Sequence, residues 1–175
     1  MKTLALRTIL SMMLLLVNGL PVVYAAPETW DISTGNLVIS SGGTYAVTGS
    51  TMSNTISVNT SDAVTITLDN VSINVSATRD KTAFDSGGNV TLYLIGANTL
   101  KSSISQPGIR VTDGEQLTVS NAPLSGCSLS ASGGAFGAGI GGGYMQNGGI
   151  VTISGGSVTA NGGDLAAGIG GAYTG

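Results

Sequence analysis

The sequence predicts an all-β protein that folds as a parallel β-helix, a solenoid with about three short strands in each coil of roughly 26–34 residues. Three observations support this fold. Short segments in which apolar and small polar residues alternate recur along the chain. Turn-forming Gly, Asn, Asp and Ser residues separate these segments, and glycine supplies 28 of the 175 residues. After residue 25 no segment shows helical periodicity.

The repeat is clearest in a series of strands that carry threonine at equivalent positions. This series is marked by Thr65, Thr91, Thr118 and Thr152, with spacings of 26, 27 and 34 residues. An earlier strand in each coil has the markers Ile56, Ala83, Arg110, Ile140 and Ile169, each given to within one residue. A later strand is predicted around Ile73, Leu100, Leu129 and Val158. Three strands per period and no helix fit one coil of a β-helix.

Stacking the coils predicts where the side chains lie. An interior ladder is expected to place Val64 over Leu92, Val119 and Ile153, or over their near neighbours. The four threonines are expected to form an outward ladder, because successive side chains of a strand point to opposite faces. Small β-branched residues can fill a narrow interior, which explains how a chain with 5% aromatic residues can fold.

Two other folds are compatible with parts of this pattern. A β-sandwich also has many short strands separated by turns, but it does not require a three-strand period. The glycine-rich residues 126–175 hold 18 of the glycines and could form a flexible linker. Their glycines recur in register, however, and Ala138–Gly143 is nearly repeated 29 residues later as Ala167–Ala172. This regularity favours coils over a linker.

The chain divides into three predicted regions. Residues 1–25 have a basic start, an apolar stretch and small residues before a cleavage site after Ala25, which is typical of a signal peptide. Residues 26–50 are expected to supply an N-terminal cap and the first coil, and residues 51–175 the remaining coils. No C-terminal cap is recognisable, so we expect the β-helix to be truncated at residue 175.

The composition excludes several classes of function. With no histidine and a single cysteine, Cys127, the chain cannot build the usual zinc sites or a catalytic pair that needs an imidazole. Six basic residues against nine acidic ones argue against a nucleic-acid partner. Cys127 also cannot form an internal disulfide. We therefore expect a protein that works through a repeated surface and is not an enzyme.

Acidic residues precede the threonine strand in several coils and suggest a cation site. Asp62, Asp85 and Asp113 are the candidate ligands, and Ca²⁺ is the one candidate cofactor, since hard cations prefer oxygen ligands. Their distances from the following strand differ. The alternative is a solvated turn in which each Asp bonds its own backbone.

Candidate sugar-binding residues lie at predicted outward positions. Tyr93 is expected beside the threonine ladder, where its ring could stack on a sugar, and Arg110 could pair with an acidic sugar or a nearby carboxylate. The hydroxyl groups of the ladder would add hydrogen bonds, and its members are Thr65, Thr91 and Thr118. The alternative for Tyr93 is an ordinary surface tyrosine.

The strand sequences add a family resemblance. Gly43–Gly49 (GTYAVTG), Val64–Ile73 (VTITLDNVSI) and Val90–Leu94 (VTLYL) resemble bacterial carbohydrate-binding domain proteins with a pectate-lyase-like right-handed β-helix. The later AGIGGG and GGxVTA segments resemble repeats of large bacterial surface proteins and adhesins. The resemblance covers most of residues 35–175. It implies a right-handed coil, an extracellular location, polysaccharide binding with acidic glycans among the candidates, and calcium, but it assigns no binding residue.

The sequence thus predicts a secreted or cell-surface β-helical module that binds polysaccharide without cleaving it, with no membrane span once the signal peptide is removed. Two alternatives remain. The module could be a structural stalk or adhesin segment of a larger surface protein. It could also be a polysaccharide lyase or hydrolase, which would need suitably placed acidic and basic side chains.

Overall fold

A computed structural model describes residues 27–121 and 126–173, and the backbone of residues 14–17 and 20–23. The predicted signal peptide therefore lies largely outside the described residues, as does its cleavage site. Within it, β1 (Leu14–Val17) and β2 (Leu20–Val23) pair antiparallel. In the described part of the chain there is no helix with the length and apolar character needed to cross a bilayer.

From residue 28 onward the described chain is built of short strands joined by turns. In order they are β3 (Glu28–Asp31), β4 (Leu37–Ile39), β5 (Gly43–Thr51), β6 (Ile56–Asn59), β7 (Val64–Asn74), β8 (Phe84–Gly87), β9 (Asn89–Ile95), β10 (Ala97–Lys101), β11 (Ile109–Arg110), β12 (Gln116–Asn121), β13 (Ser128–Ser132), β14 (Ile140–Gly141), β15 (Ile150–Ile153), β16 (Ser157–Asn161) and β17 (Ile169–Gly170).

These strands form two parallel sheets, and the chain passes from one sheet to the other within each coil. The six-stranded sheet has the order β17-β14-β11-β8-β6-β4. The nine-stranded sheet has two halves, one containing β9, β12 and β15 and the other β10, β13 and β16, and β7 belongs to both. Residues 64–69 of β7 pair with β9, whereas residues 72–74 pair with β10. Each coil thus has three strand segments, which confirms the predicted parallel β-helix.

The strand pairing shows that both alternatives, the β-sandwich and the flexible linker, are wrong. Every strand pair from β3 to β17 is parallel and joins one coil to the next, unlike the antiparallel pairs of a β-sandwich. The glycine-rich residues after position 126 form β13 to β17, in register with the coils before them, so they are not a linker.

The predicted threonine ladder is confirmed. Thr65 pairs with Thr91, Thr91 with Thr118, and Thr118 with Thr152, and Thr44 extends the row by one coil. These side chains are at least partly exposed.

In the interior ladder the neighbour of Val64 lies two residues before the predicted Leu92. Val64 stacks on Val90, and that row continues through Leu117 and Val151. Leu92 belongs to a second interior row, which runs through Ile66, Val119 and Ile153. Both rows point inward because alternate residues of a strand share a face. The spacing of the repeats could not separate them.

The earlier strand of each coil agrees with the predicted markers to within one residue, and the structure fixes its register. Ile56 pairs with Phe84, Phe84 with Ile109, and Ile109 with Ile140. The predicted markers Ala83 and Arg110 are each displaced by one residue. Ile56, Phe84, Ile109 and Ile140 are all buried and fill the core from this side.

The two ends of the described solenoid differ. At the start, β3 pairs with β5, Ile32 and Leu37 are buried, and Trp30 and Tyr45 pack against the core. The predicted boundary after residue 50 falls inside β5. At the other end, Ile153 and Ile169 belong to interior rows but are exposed, because no described coil lies beyond them.

Asn98 is a buried polar residue in this interior. It aligns with Leu129 of the next coil. Its Oδ1 accepts the N–H of Val71 at 2.9 Å, and its Nδ2 donates to the carbonyl oxygens of Ile95 and Ser128 at 3.1 and 3.2 Å. The amide thus joins three consecutive coils at the bend between the two halves of the nine-stranded sheet.

Candidate functional site

A surface depression of the described solenoid lies around Arg110. Two hollows of about 220 and 210 Å³ share the Arg110 side chain. We call them together the Arg110 groove. One hollow is lined by Ser105, Gln106, Tyr144 and Gln146, and the other by Thr55, Ser57, Asp80, Lys81, Thr82 and Asp85.

The six-stranded sheet positions the floor of this groove. Ser57 of β6 pairs with Asp85 of β8, Asp85 with Arg110 of β11, and Arg110 with Gly141 of β14. The residues on either side of Asp85, Phe84 and Ser86, are buried. Side chains alternate along a strand, so Ser57, Asp85 and Arg110 point outward from successive coils.

Turns beside these strands supply the walls. Lys81 and Thr82 precede β8, and Gln106 precedes β11. Lys81 is fixed by its backbone, because its N–H donates to Ser103 Oγ at 2.9 Å and its carbonyl oxygen accepts from the same hydroxyl at 3.0 Å. Its Nζ reaches the carbonyl oxygen of Ser53 at 3.3 Å. The groove is therefore built on a well-bonded backbone.

The guanidinium group of Arg110 is held by three acceptors. Nη1 lies 3.0 Å from Asp85 Oδ2, and Nη2 donates to Thr82 Oγ1 at 2.9 Å and to Gln106 Oε1. The hydroxyl of Thr82 also bonds Gln106 Oε1 at 3.0 Å. Nε of Arg110 is buried without a hydrogen-bond partner in the described part of the chain. The planar group is thus fixed in orientation at the centre of the groove.

Ionisation of the Asp85 carboxyl group is unfavourable in this position. Its side chain is 31% exposed, and burial raises the pKa of its carboxyl group, although the nearby Arg110 charge acts in the opposite direction. A perturbed carboxyl group in a cleft is a feature of functional sites, because fold stability alone does not favour it. The two hollows, the fixed guanidinium group and this perturbed carboxyl group together make the groove the candidate functional site.

The Asp85 pKa predicts a pH dependence of stability. The native state holds the proton more tightly than the unfolded state, whose pKa is near 3.8. The free energy of unfolding should therefore fall as the pH rises from about that value through the higher native pKa. We expect Asp85→Asn to be more stable than wild type at neutral pH and to lack this fall.

Urea unfolding of both proteins between acidic and neutral pH measures this effect. Asp113→Asn is the matched control, since it removes one negative charge from an exposed turn. Parallel curves for wild type and Asp85→Asn would contradict the prediction.

An aromatic cluster borders one end of the groove. Tyr144 lines the groove and stacks on Tyr173, with ring centroids 5.8 Å apart and an angle of 7° between the planes. Phe136 packs against Tyr144 edge to face at 5.7 Å. The two tyrosines are 29 residues apart and each follows a Gly-Ile-Gly-Gly segment. The repeat thus places an exposed aromatic wall beside polar side chains.

The structure separates the sugar-binding residues predicted from the sequence. Thr65, Thr91 and Thr118 form one row, and Tyr93 lies exposed on the same strand as Thr91, two residues further on, in register with Ser120. Arg110 lies on the other sheet. The five residues thus belong to two surfaces, a flat threonine face and the Arg110 groove.

The predicted calcium ligands are not brought together. Asp62 lies in the turn before β7, near the N–H of Gly42 at 3.4 Å, and Asp113 lies in the turn before β12. Asp85 is inside β8, where it pairs with Arg110, so its predicted place in the turn is wrong. Among the described residues no three His, Cys, Asp or Glu side chains form a group that could hold a metal ion.

Sequence reasoning missed most residues of the groove. Thr82, Gln106 and Lys81 lie in irregular turns, where no periodicity marks them. Tyr144 and Tyr173 could have been found from the sequence, because they occupy equivalent positions of the two most similar repeats.

Comparison with known proteins gives one partial match. Residues 151–173 match a family described as beta helix repeat. Nothing among the curated proteins or the solved structures matches the chain. The match covers the coil that contains β15, β16 and β17, and it agrees with the strand pairing of the whole described chain. The protein is an all-β parallel β-helix.

Proposed function

We propose that this β-helical module is secreted or displayed at the cell surface and binds polysaccharide non-catalytically in the Arg110 groove. One observation carries the proposal: two hollows meet at a fixed guanidinium group and are lined by hydroxyl, amide, carboxylate and ammonium groups from several coils. Binding sites that recognise a ligand by a few convergent polar groups are built in this way.

The charges in the groove favour recognition of hydroxyl groups. Arg110 is paired with Asp85, and Lys81 lies next to Asp80 in the same hollow. The two positive and two negative side chains balance, so the groove has no net charge. Planar carboxylate, amide and guanidinium groups can each bond neighbouring hydroxyls of a sugar ring. Tyr144 adds an aromatic surface at the end of the groove.

The proposal is tested by glycan-array and pull-down binding of the mature protein, with neutral and acidic polysaccharides, each with and without EDTA. We expect binding that Arg110→Ala weakens by at least about tenfold, since a hydrogen bond to a charged group is worth roughly 1.5–3 kcal/mol. Lys81→Ala should weaken binding as well.

Matched controls come from exposed basic residues outside the groove. Arg79→Ala and Lys101→Ala remove the same kinds of side chain and should leave binding unchanged. Tyr93→Ala separates the two surfaces: loss of binding in Tyr93→Ala but not in Arg110→Ala would move the site to the threonine face. Absence of binding to every glycan would contradict the proposal and favour a structural stalk or adhesin segment.

The contact between Arg110 and Asp85 favours cleavage of polysaccharide as a second candidate function. A basic and an acidic side chain lie 3.0 Å apart in a groove, which sequence reasoning had not placed together. Release of unsaturated or reducing sugars from uronide polysaccharides, abolished in Arg110→Ala, would support it. Binding without any such release supports the non-catalytic proposal.

A further inference from the structure

A third hollow lies at the opposite end of the described solenoid from the aromatic cluster. It has a volume of about 360 Å³, which exceeds that of either hollow of the Arg110 groove. This volume falls in the range of about 300–1,000 Å³ that is typical of small-molecule sites. We call it the N-terminal hollow. Its lining includes Trp30, Tyr45, Glu28, Asn36, Val38 and Ser40.

The two sheets form opposite sides of this hollow. Glu28 of β3 pairs with Tyr45 of β5, and Trp30 pairs with the buried Val47, so these side chains share the inward side of the nine-stranded sheet. Strand β4 of the six-stranded sheet lies across from them. The hollow is therefore the mouth of the solenoid, with an indole and a phenol ring on one side.

Both aromatic rings are held in place by hydrogen bonds. Nε1 of Trp30 donates to the carbonyl oxygen of Gly35 at 3.1 Å, and the hydroxyl of Tyr45 donates to the carbonyl oxygen of Ser41 at 3.2 Å. Rings that are fixed before a ligand arrives lose little conformational entropy on binding. They offer a preformed apolar surface inside a polar rim.

The edge of β4 adds backbone groups to the hollow. Among the described strands β4 pairs only with β6, and the N–H of Leu37 donates to Thr55 on that side. Peptide groups of successive strand residues point to opposite edges, so the N–H and C=O of Val38 lie on the free edge. A donor and an acceptor thus face the hollow, beside the hydroxyl of Ser40.

We propose that the N-terminal hollow is a second sugar-binding site, which takes one or two pyranose units between the Trp30 and Tyr45 rings and the free edge of β4. Aromatic rings fit the apolar C–H faces of a sugar, and the carboxylate, hydroxyl and peptide groups fit its hydroxyls. An added peptide strand fits less well, because β4 has only three residues and offers too short an edge. The inference does not depend on the Arg110 groove.

Tryptophan fluorescence reports on this hollow alone, since Trp30 is the only tryptophan of the chain. The mature protein is titrated with cellobiose, N,N′-diacetylchitobiose and lactose while tryptophan emission is recorded. We expect at least one of them to shift or quench the emission with saturation. Tyr45→Leu removes the phenol ring that lines the hollow and should weaken that effect at least about tenfold. Tyr45 is partly exposed and leucine is apolar, so the variant should fold.

Tyr93→Leu is the matched control, because Tyr93 is 36% exposed and does not line the hollow. It should respond as wild type does, and so should Arg110→Ala, which separates this site from the proposed groove. An emission that none of the sugars changes overturns the inference, as does a response in Tyr45→Leu equal to that of wild type. A response to a short extended Thr/Val-rich peptide alone overturns it in favour of strand addition.

Discussion

Replacing Asn98 by leucine is expected to lower the free energy of unfolding by about 3 kcal/mol, even though leucine fits the interior pattern. The amide satisfies the N–H of Val71 and the carbonyl groups of Ile95 and Ser128. Asn98 is 2% exposed, so water cannot replace these bonds. Each buried backbone group that is left without a partner costs roughly 1–3 kcal/mol, which exceeds the gain from an added aliphatic side chain.

Urea unfolding monitored by circular dichroism measures this loss. Asn89→Leu is the matched control, because Asn89 lies exposed at the start of the same coil and should tolerate the change with little effect. If Asn98→Leu were as stable as wild type, the amide would not be needed to join the coils.

Replacing Gly139 by alanine is expected to destabilise the fold by about 3 kcal/mol, at the upper end of what overpacking a core usually costs. A Cβ atom at Gly139 would lie 2.6 Å from the backbone nitrogen of Asn161 and 2.6 Å from the carbonyl oxygen of Gly168. Both are backbone atoms of the next coil and cannot rotate away. The coils would have to separate, which weakens the hydrogen bonds on either side.

Gly35→Ala is the control for this variant. A Cβ atom there would meet only Trp30 Cζ2, at an ordinary contact distance of 3.9 Å. Thermal unfolding should show a lowered midpoint for Gly139→Ala and little change for Gly35→Ala. Similar midpoints for the two variants would show that close approach of the coils does not require glycine at position 139.

The threonine ladder illustrates how much of the fold the sequence predicts. Thr65, Thr91 and Thr118 sit in strands long enough to show the alternation, and their spacing alone gave the correct pairing. The glycine-rich coils were also recognisable, because the repeated glycines occupy places where adjacent backbones nearly touch. Regular features that recur in every coil are therefore predictable.

The Arg110 groove shows why the rest was not predictable. Strand β11 has two residues and β8 has four, too few for alternation to fix the register. Aligning Ala83 with Arg110 places Asp85 two residues away from it, whereas the pairing of Phe84 with Ile109 brings Asp85 beside Arg110. A prediction that fixes the register only to within one residue therefore cannot reveal the ion pair.

Asn98 shows the same limit for the interior. Its position in the strand pattern is that of an aliphatic residue, and its three backbone partners lie at bends whose geometry no local sequence rule describes. The sequence therefore indicated an apolar core at this position, while the structure contains a buried amide that joins three coils.

The stacking of coils has a consequence for how the two proposed sites are lost. Each coil contacts only its neighbours, so the terminal coils fray at the lowest free energy and the middle ones open last. The N-terminal hollow needs only the first turns of the chain, whereas the Arg110 groove needs residues from Thr55 to Gln146. Amide hydrogen exchange should find slow, cooperative opening around Asp85 and Arg110 and faster opening around Val38. A mildly denatured protein would then keep the hollow beside Asp85 and Arg110 after losing the N-terminal hollow.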